Sequence, residues 1–157
     1  MKIPIQLNQE QKILEADPSE KLINVLRREG LISVKCGCTT GICGACTVLL
    51  DNKAIPSCII PVAAIRGSKV VTLEYFSKTE EYKIITDTFS ALEIKLCGYC
   101  DAGKIFAAYE LMVNCKEIDS KKVYDTVKYF NCGCTETNQL VKAIIEAITA
   151  WKSQKRR

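Results

Sequence analysis

The sequence predicts an α+β chain, with a small strand-rich unit over residues 1–77 and an all-α unit, a four-helix bundle, over residues 78–157. Three features lead there. Up to about residue 74, short apolar runs alternate with polar residues, the period of half-buried strands. Beyond about residue 77 apolar residues recur every three or four positions, the period of amphipathic helices. Each half also carries its own set of cysteines.

Taken in order, "IPIQL" at residues 3–7 and parts of "KILEA" alternate apolar with polar, and polar Asn8 to Gln11 between them predict a hairpin. "DPSEKLINVLRREG" predicts a short helix, with Asp17 or Ser19 capping its start and Gly30 ending it. Leu22, Val25 and Leu26 would form its buried face. "CTVLLD" and "KAIPS" flank a turn at Asp51–Asn52, and "VVTLE" at residues 70–74 is a further strand candidate. Short strands around one helix make a small α+β unit. The boundary is expected near "FSKTEE". Four helical faces follow: Ile84, Ile85, Thr88, Phe89 and Leu92; then Ile105, Ala108, Tyr109 and Met112; then Val123 with Val127; then Leu140, Ile144, Ile148 and Trp151.

Composition narrows the chemistry. With 48% hydrophobic residues a packed core is expected and disorder is not. No apolar run approaches the roughly 20 residues of a membrane span, and "MKIPIQLNQEQ" lacks the marks of a signal peptide. A cytoplasmic location is the expectation, and there ten cysteines point to metal before disulfides. The chain has no histidine, so a Ser/His or Cys/His nucleophile cannot be built. The formal charge is +4, with a basic tail, "WKSQKRR", but no basic stripe with interleaved aromatics; neither nucleic acid nor membrane is an expected partner.

Cys38, Cys43, Cys46 and Cys58 are spaced C-x4-C-x2-C-x11-C, the plant-type [2Fe–2S] pattern of C-x4-C-x2-C with a distant fourth cysteine. Gly37, Gly41 and Gly44 suit a loop whose backbone must approach the cluster closely. A zinc ribbon would need two C-x2-C knuckles, and this segment has one. Counting back from Cys43 leaves Cys36 as a spare, either a small hydrophobe beside the loop or a substitute ligand. The second set, Cys97, Cys100, Cys132 and Cys134, is spaced C-x2-C-x31-C-x-C, which by itself is less specific. Its position adds to it. "LCGYC" precedes one predicted helix and "CGC" another, and helix N-termini favour anions and thiolates. Cys115 is expected to be a core thiol. Lys35, Lys95 and Lys104 lie near these cysteines in sequence; they are either solvated or placed to favour a reduced cluster.

With both sets in view, the chain resembles the small iron–sulfur subunit of the molybdenum hydroxylases, the family of xanthine dehydrogenase and aldehyde oxidoreductase. "LINVLRREGLISVKCGCTTGICGACTVLLDNKAIPSC" carries the first-cluster resemblance, and "CGYC" with "CGCT" before "LVKAI" carries the second. The resemblance implies a β-grasp ferredoxin-like domain followed by a four-helix bundle, each with a [2Fe–2S] cluster. It also implies a large partner subunit holding molybdopterin and a medium subunit holding FAD, with electrons moving from molybdenum through the bundle cluster and the ferredoxin-like cluster to FAD. The chain departs from the family's pattern at four places: Leu96 stands where Gln commonly approaches the pterin, Asp101-Ala102-Gly103 replaces Thr-Pro-Gly, Gly133 replaces Arg, and Glu136 replaces Gly. The Leu96 difference implies an atypical contact with the molybdenum subunit. Two other functions fit the same cysteines, a stand-alone two-cluster electron carrier and a zinc-stapled interaction module.

Overall fold

The computed structural model describes residues 1–130 and 132–157. Its first half is built on two tight hairpins. β1 (Lys2–Leu7) and β2 (Glu10–Glu15) are antiparallel, and only Asn8 and Gln9 lie between them. Both have positive φ, 50° and 73°, the conformation a two-residue turn needs to match strand twist. The loop is therefore shorter than the predicted Asn8–Gln11, because Glu10 and Gln11 already pair across the hairpin. β3 (Thr47–Leu50) and β4 (Lys53–Pro56) repeat the device through Asp51 and Asn52, as predicted.

β5 (Lys69–Val71) joins the two hairpins into a mixed sheet of order β2-β1-β5-β3-β4, parallel to β1 and antiparallel to β3. The predicted strand at 70–74 stops early. The Asn8 carboxamide oxygen accepts the Thr72 N–H at 2.9 Å, and the chain turns into a one-turn helix, α2 (Leu73–Phe76). α1 (Leu22–Arg28) packs on the sheet through Leu22, Ile23, Val25 and Leu26. Its cap is a second difference. Asp17 accepts from the N–H and hydroxyl of Ser19 in a local turn, and no side chain among the described residues caps α1. Backbone carbonyls serve instead: Leu22 and Ile23 donate to Ile60 and Ser57 at 2.8 and 3.2 Å. This ties α1 to the segment around Cys58.

The second half is helical, as the 3.6-residue period requires. α3 (Glu80–Ala91), α4 (Asp101–Asn114), α5 (Ser120–Val127) and α6 (Thr137–Lys155) pack around Ile85, Phe89, Phe106, Val123, Val127, Ile144 and Ile148. Thr79 caps α3, and Asp119 caps α5. α4 is buried continuously from Ala102 to Ala108, because it faces the other helices on one side and β3 and β4 on the other. Glu110 on α4 accepts the Ala54 N–H at 2.7 Å, and Leu49 of the sheet belongs to the helical core. No helix among the described residues is long and apolar enough to cross a membrane.

Candidate metal centres

Cys100 is the N-cap of α4, Cys97 lies three residues before it, and Cys132 and Cys134 lie in the connection from α5 to α6. Their four sulfurs lie within 4.8 Å of one another. Neighbouring Sγ separations are 3.3–3.7 Å. The loop that brings Cys97 to Cys100 is closed by Asp101, whose carboxylate accepts the Gly98 N–H at 2.9 Å. The acidic residue that departs from the family's Thr thus has a structural task.

Charge in this quartet is uneven. Burial pushes the Cys100 thiol well above its ordinary value, aided by the neighbouring sulfurs. At Cys134 burial acts in the same direction, yet hydrogen bonds, chiefly from Lys104, bring the thiol down to about 6. Backbone N–H groups of Cys100 and Tyr99 hold the Cys97 thiol below its ordinary value against burial. The Lys104 ammonium donates to Cys134 Sγ at 2.9 Å. The Thr135 hydroxyl lies 3.7 Å from the same sulfur and donates to the Lys95 carbonyl at 2.9 Å.

The first set is less tightly gathered: among the described residues only the second quartet has all four sulfurs within 4.8 Å of one another. The Cys43 N–H donates to Cys38 Sγ at 3.4 Å. The Ser57 hydroxyl donates to the Cys46 carbonyl at 2.7 Å. The Thr40 hydroxyl and the N–H groups of Cys43 and Thr40 hold the Cys38 thiol down to about 5. Burial and the Cys46 sulfur push Cys58 up to about 12. Gly41 and Gly44 have positive φ, 81° and 77°, within this loop. At Gly37 the constraint is space, since a Cβ there would lie 2.6 Å from Cys43 Sγ and 2.9 Å from the Tyr99 hydroxyl.

The two sets touch. The Tyr99 hydroxyl donates to the Cys36 carbonyl at 2.8 Å, and the Lys35 ammonium donates to the Gly98 carbonyl. Gly44 and Gly103 meet backbone to backbone, so close that a Cβ on Gly103 would lie 2.9 Å from Gly44 Cα. Three expectations change here. Cys36 is exposed, so it is not a hydrophobe packed beside the loop; its carbonyl is what the structure uses. Cys115 is half-buried at the end of α4, where its thiol meets the Glu117 carbonyl, rather than in the core. Lys104 is buried, whereas Lys95 is exposed. Spacing picked out the cysteines but not Tyr99, Thr40, Thr135 or Asp101, whose parts depend on the tertiary approach of separate loops. For Lys104 a signal existed: a lysine inside the otherwise apolar run "AGKIFAA".

The donor sets suit thiophilic metal. A four-thiolate tetrahedron with metal–sulfur distances of about 2.3 Å has edges near 3.8 Å. The separations of 3.3–3.7 Å in the quartet of Cys97, Cys100, Cys132 and Cys134 are those of ligands on one metal ion; a two-iron centre would set the thiolates of its two irons further apart, so the spacing supplies the ligands without naming the metal. Comparison with known proteins supplies more. Residues 5–65 match the family described as "2Fe-2S iron-sulfur cluster binding domain", and residues 72–145 match "[2Fe-2S] binding domain". The chain is 32% identical to the xanthine dehydrogenase iron-sulfur-binding subunit of Escherichia coli O157:H7, over 85% of each. It is 28% identical to the nicotinate dehydrogenase small FeS subunit of Eubacterium barkeri, over 93% of this chain and 94% of that one. Among solved structures, a chain of quinoline 2-oxidoreductase from Pseudomonas putida 86 superposes with a TM-score of 0.85 at 26% identity, covering 98% of this chain and 96% of that one. Two [2Fe-2S]-binding domains in this order, on a chain that aligns with these subunits nearly end to end, mean that it belongs to the small iron–sulfur subunits of the molybdenum hydroxylase, or xanthine dehydrogenase, family.

Proposed function

We propose that this chain is the cytoplasmic electron-carrying subunit of a molybdenum hydroxylase, with Cys38, Cys43, Cys46 and Cys58 holding one [2Fe–2S] cluster and Cys97, Cys100, Cys132 and Cys134 the other. The observation that carries the reading is that each cysteine quartet falls inside a stretch matching a [2Fe-2S]-binding family, residues 5–65 for the first and 72–145 for the second. When bound, each cluster takes up and releases one electron, and no substrate bond is made or broken on this chain. The side chains and backbone do the rest. Cys38, Cys43, Cys46 and Cys58 would supply four thiolates to the first cluster, with the Cys43 N–H already donating to Cys38 Sγ. Backbone N–H groups at Cys43 and Tyr99 point at sulfur and disperse its charge. Tyr99 and Lys35 hold the two ligand loops against each other, which keeps the path between clusters short.

The division between the two cluster-binding units is placed at residues 77 and 78, supported by the end of the sheet at Val71 and the start of α3 at Glu80. The partners are a large subunit holding molybdopterin and a medium subunit holding FAD, in keeping with relatives that are named as subunits of dehydrogenases. Leu96, half-buried against the helical core, stands where an amide is common in the family and would offer a molybdenum-bearing partner an apolar side chain instead. The ligand assignment is tested one quartet at a time. Cys58→Ser and Cys97→Ser should each abolish one of two EPR signals in the dithionite-reduced full chain and leave the other. Loss of both signals, or of neither, in each variant contradicts the assignment.

A further inference from the structure

Lys104 is the only charged side chain among the described residues that is fully buried, at 1% exposure. It lies in the first turn of α4, between Gly103 and Ile105, with buried neighbours on both sides. A lysine so near a helix start usually bends its amine out to water along its apolar stem. This one does not. Its ammonium donates to Cys134 Sγ at 2.9 Å, and no carboxylate among the described residues forms an ion pair with it. An ammonium taken out of water is costly unless an anion faces it, and the group facing this one is a cysteine sulfur. A methionine would fill the same space in the apolar run and leave no buried charge. The charge therefore has a use beyond packing.

We infer that Lys104 raises the reduction potential of the centre held by Cys97, Cys100, Cys132 and Cys134. This rests on the ligand assignment proposed above. A four-thiolate diiron centre carries about −2 when oxidised and about −3 after one electron, with no bond made or broken and no proton required. A fixed positive charge on one of its ligand sulfurs favours the more negative state, most strongly where water is excluded. The quartet of Cys38, Cys43, Cys46 and Cys58 has no buried ammonium among the described residues. The asymmetry sits in one residue, so its effect should be confined to one centre.

The test is an EPR-monitored redox titration of the purified full chain with both clusters loaded and dithionite as the electron donor. Lys104→Met should lower the midpoint of one signal by at least tenfold in the equilibrium constant for electron uptake, about 59 mV for a one-electron couple. The other signal should stay in place. Lys104→Arg, which keeps the charge, should restore the shifted midpoint most of the way. An unchanged midpoint in Lys104→Met with both signals present overturns the inference. So does a Lys104→Met protein that loses the iron of one centre, since Lys104 would then serve assembly and not potential. Wild-type protein with a single EPR signal would instead sink the ligand assignment itself, before any variant is made.

Discussion

At the scale of single residues, the groups that decide the site are the ones that hold sulfur and charge in place. Glu74 is the least obvious. Its carboxylate accepts the Ser33 N–H at 2.7 Å and the hydroxyls of Ser33 and Thr72 at 2.5 Å each, which fastens α2 to the chain entering the first cysteine loop. Burial works against the charge, but these three donors outweigh it and hold the carboxyl below its ordinary value. A depressed carboxyl contributes stability above its unfolded value, near about 4.3, and loses it as pH falls through the lower folded value. Glu74→Gln should therefore cost roughly 1 kcal/mol at neutral pH. The gap in thermal midpoint between wild type and variant should narrow below about pH 4. Midpoints measured from pH 7 downward check this, and a gap independent of pH would refute it.

Among elements, α4 matters most. It starts at one quartet, runs through the helical core, and presents Gly103 to the first cysteine loop and Glu110 to the sheet. The Gly44–Gly103 contact joins the two ligand-bearing segments, since Gly44 lies between Cys43 and Cys46 and Gly103 follows Cys100. A methyl group at 103 would meet Gly44 Cα and O at 2.9 Å, and backbone cannot swing aside as a side chain can. Gly103→Ala should cost about 1–3 kcal/mol, the usual range for overpacking. Gly133→Ala, with nothing within 4 Å among the described residues, should fall within roughly 0.5 kcal/mol of wild type. Denaturant unfolding of the two variants side by side checks both; equal midpoints would mean the approach at Gly44 is not tight.

The element scale also shows what a sequence can reveal. Every long helix was legible, because Ile84–Leu92, Ile105–Met112 and Leu140–Trp151 each carry enough turns for a 3.6-residue period to stand out. The ends of short elements were not. The Thr72–Glu74 turn continues a β-branched run, and only the distant Asn8 side chain shows why the strand stops. The Asp17 cap failed for a similar reason, since carbonyls from residues 57 and 60 took its place. The convergence of Cys97, Cys100, Cys132 and Cys134 followed from spacing and from helix starts. The burial of Lys104 did not, because it depends on α4 being covered on both sides.

On the scale of the whole molecule, two small cores share one seam, and both cysteine sets lie along it. Leu49, Val71 and Ala54 of the sheet pack into the helical core, while Tyr99, Lys35, Gly44 and Gly103 join the ligand loops. That arrangement suits a relay, in which a rigid separation between centres matters more than either centre alone. The central claim is that the chain holds two [2Fe–2S] centres, and analysis of the purified full-length protein for iron and acid-labile sulfide tests it most directly. The expected result is about four irons and about four sulfides per chain, two of each per centre, with negligible zinc. Half that content, or stoichiometric zinc without sulfide, would contradict it.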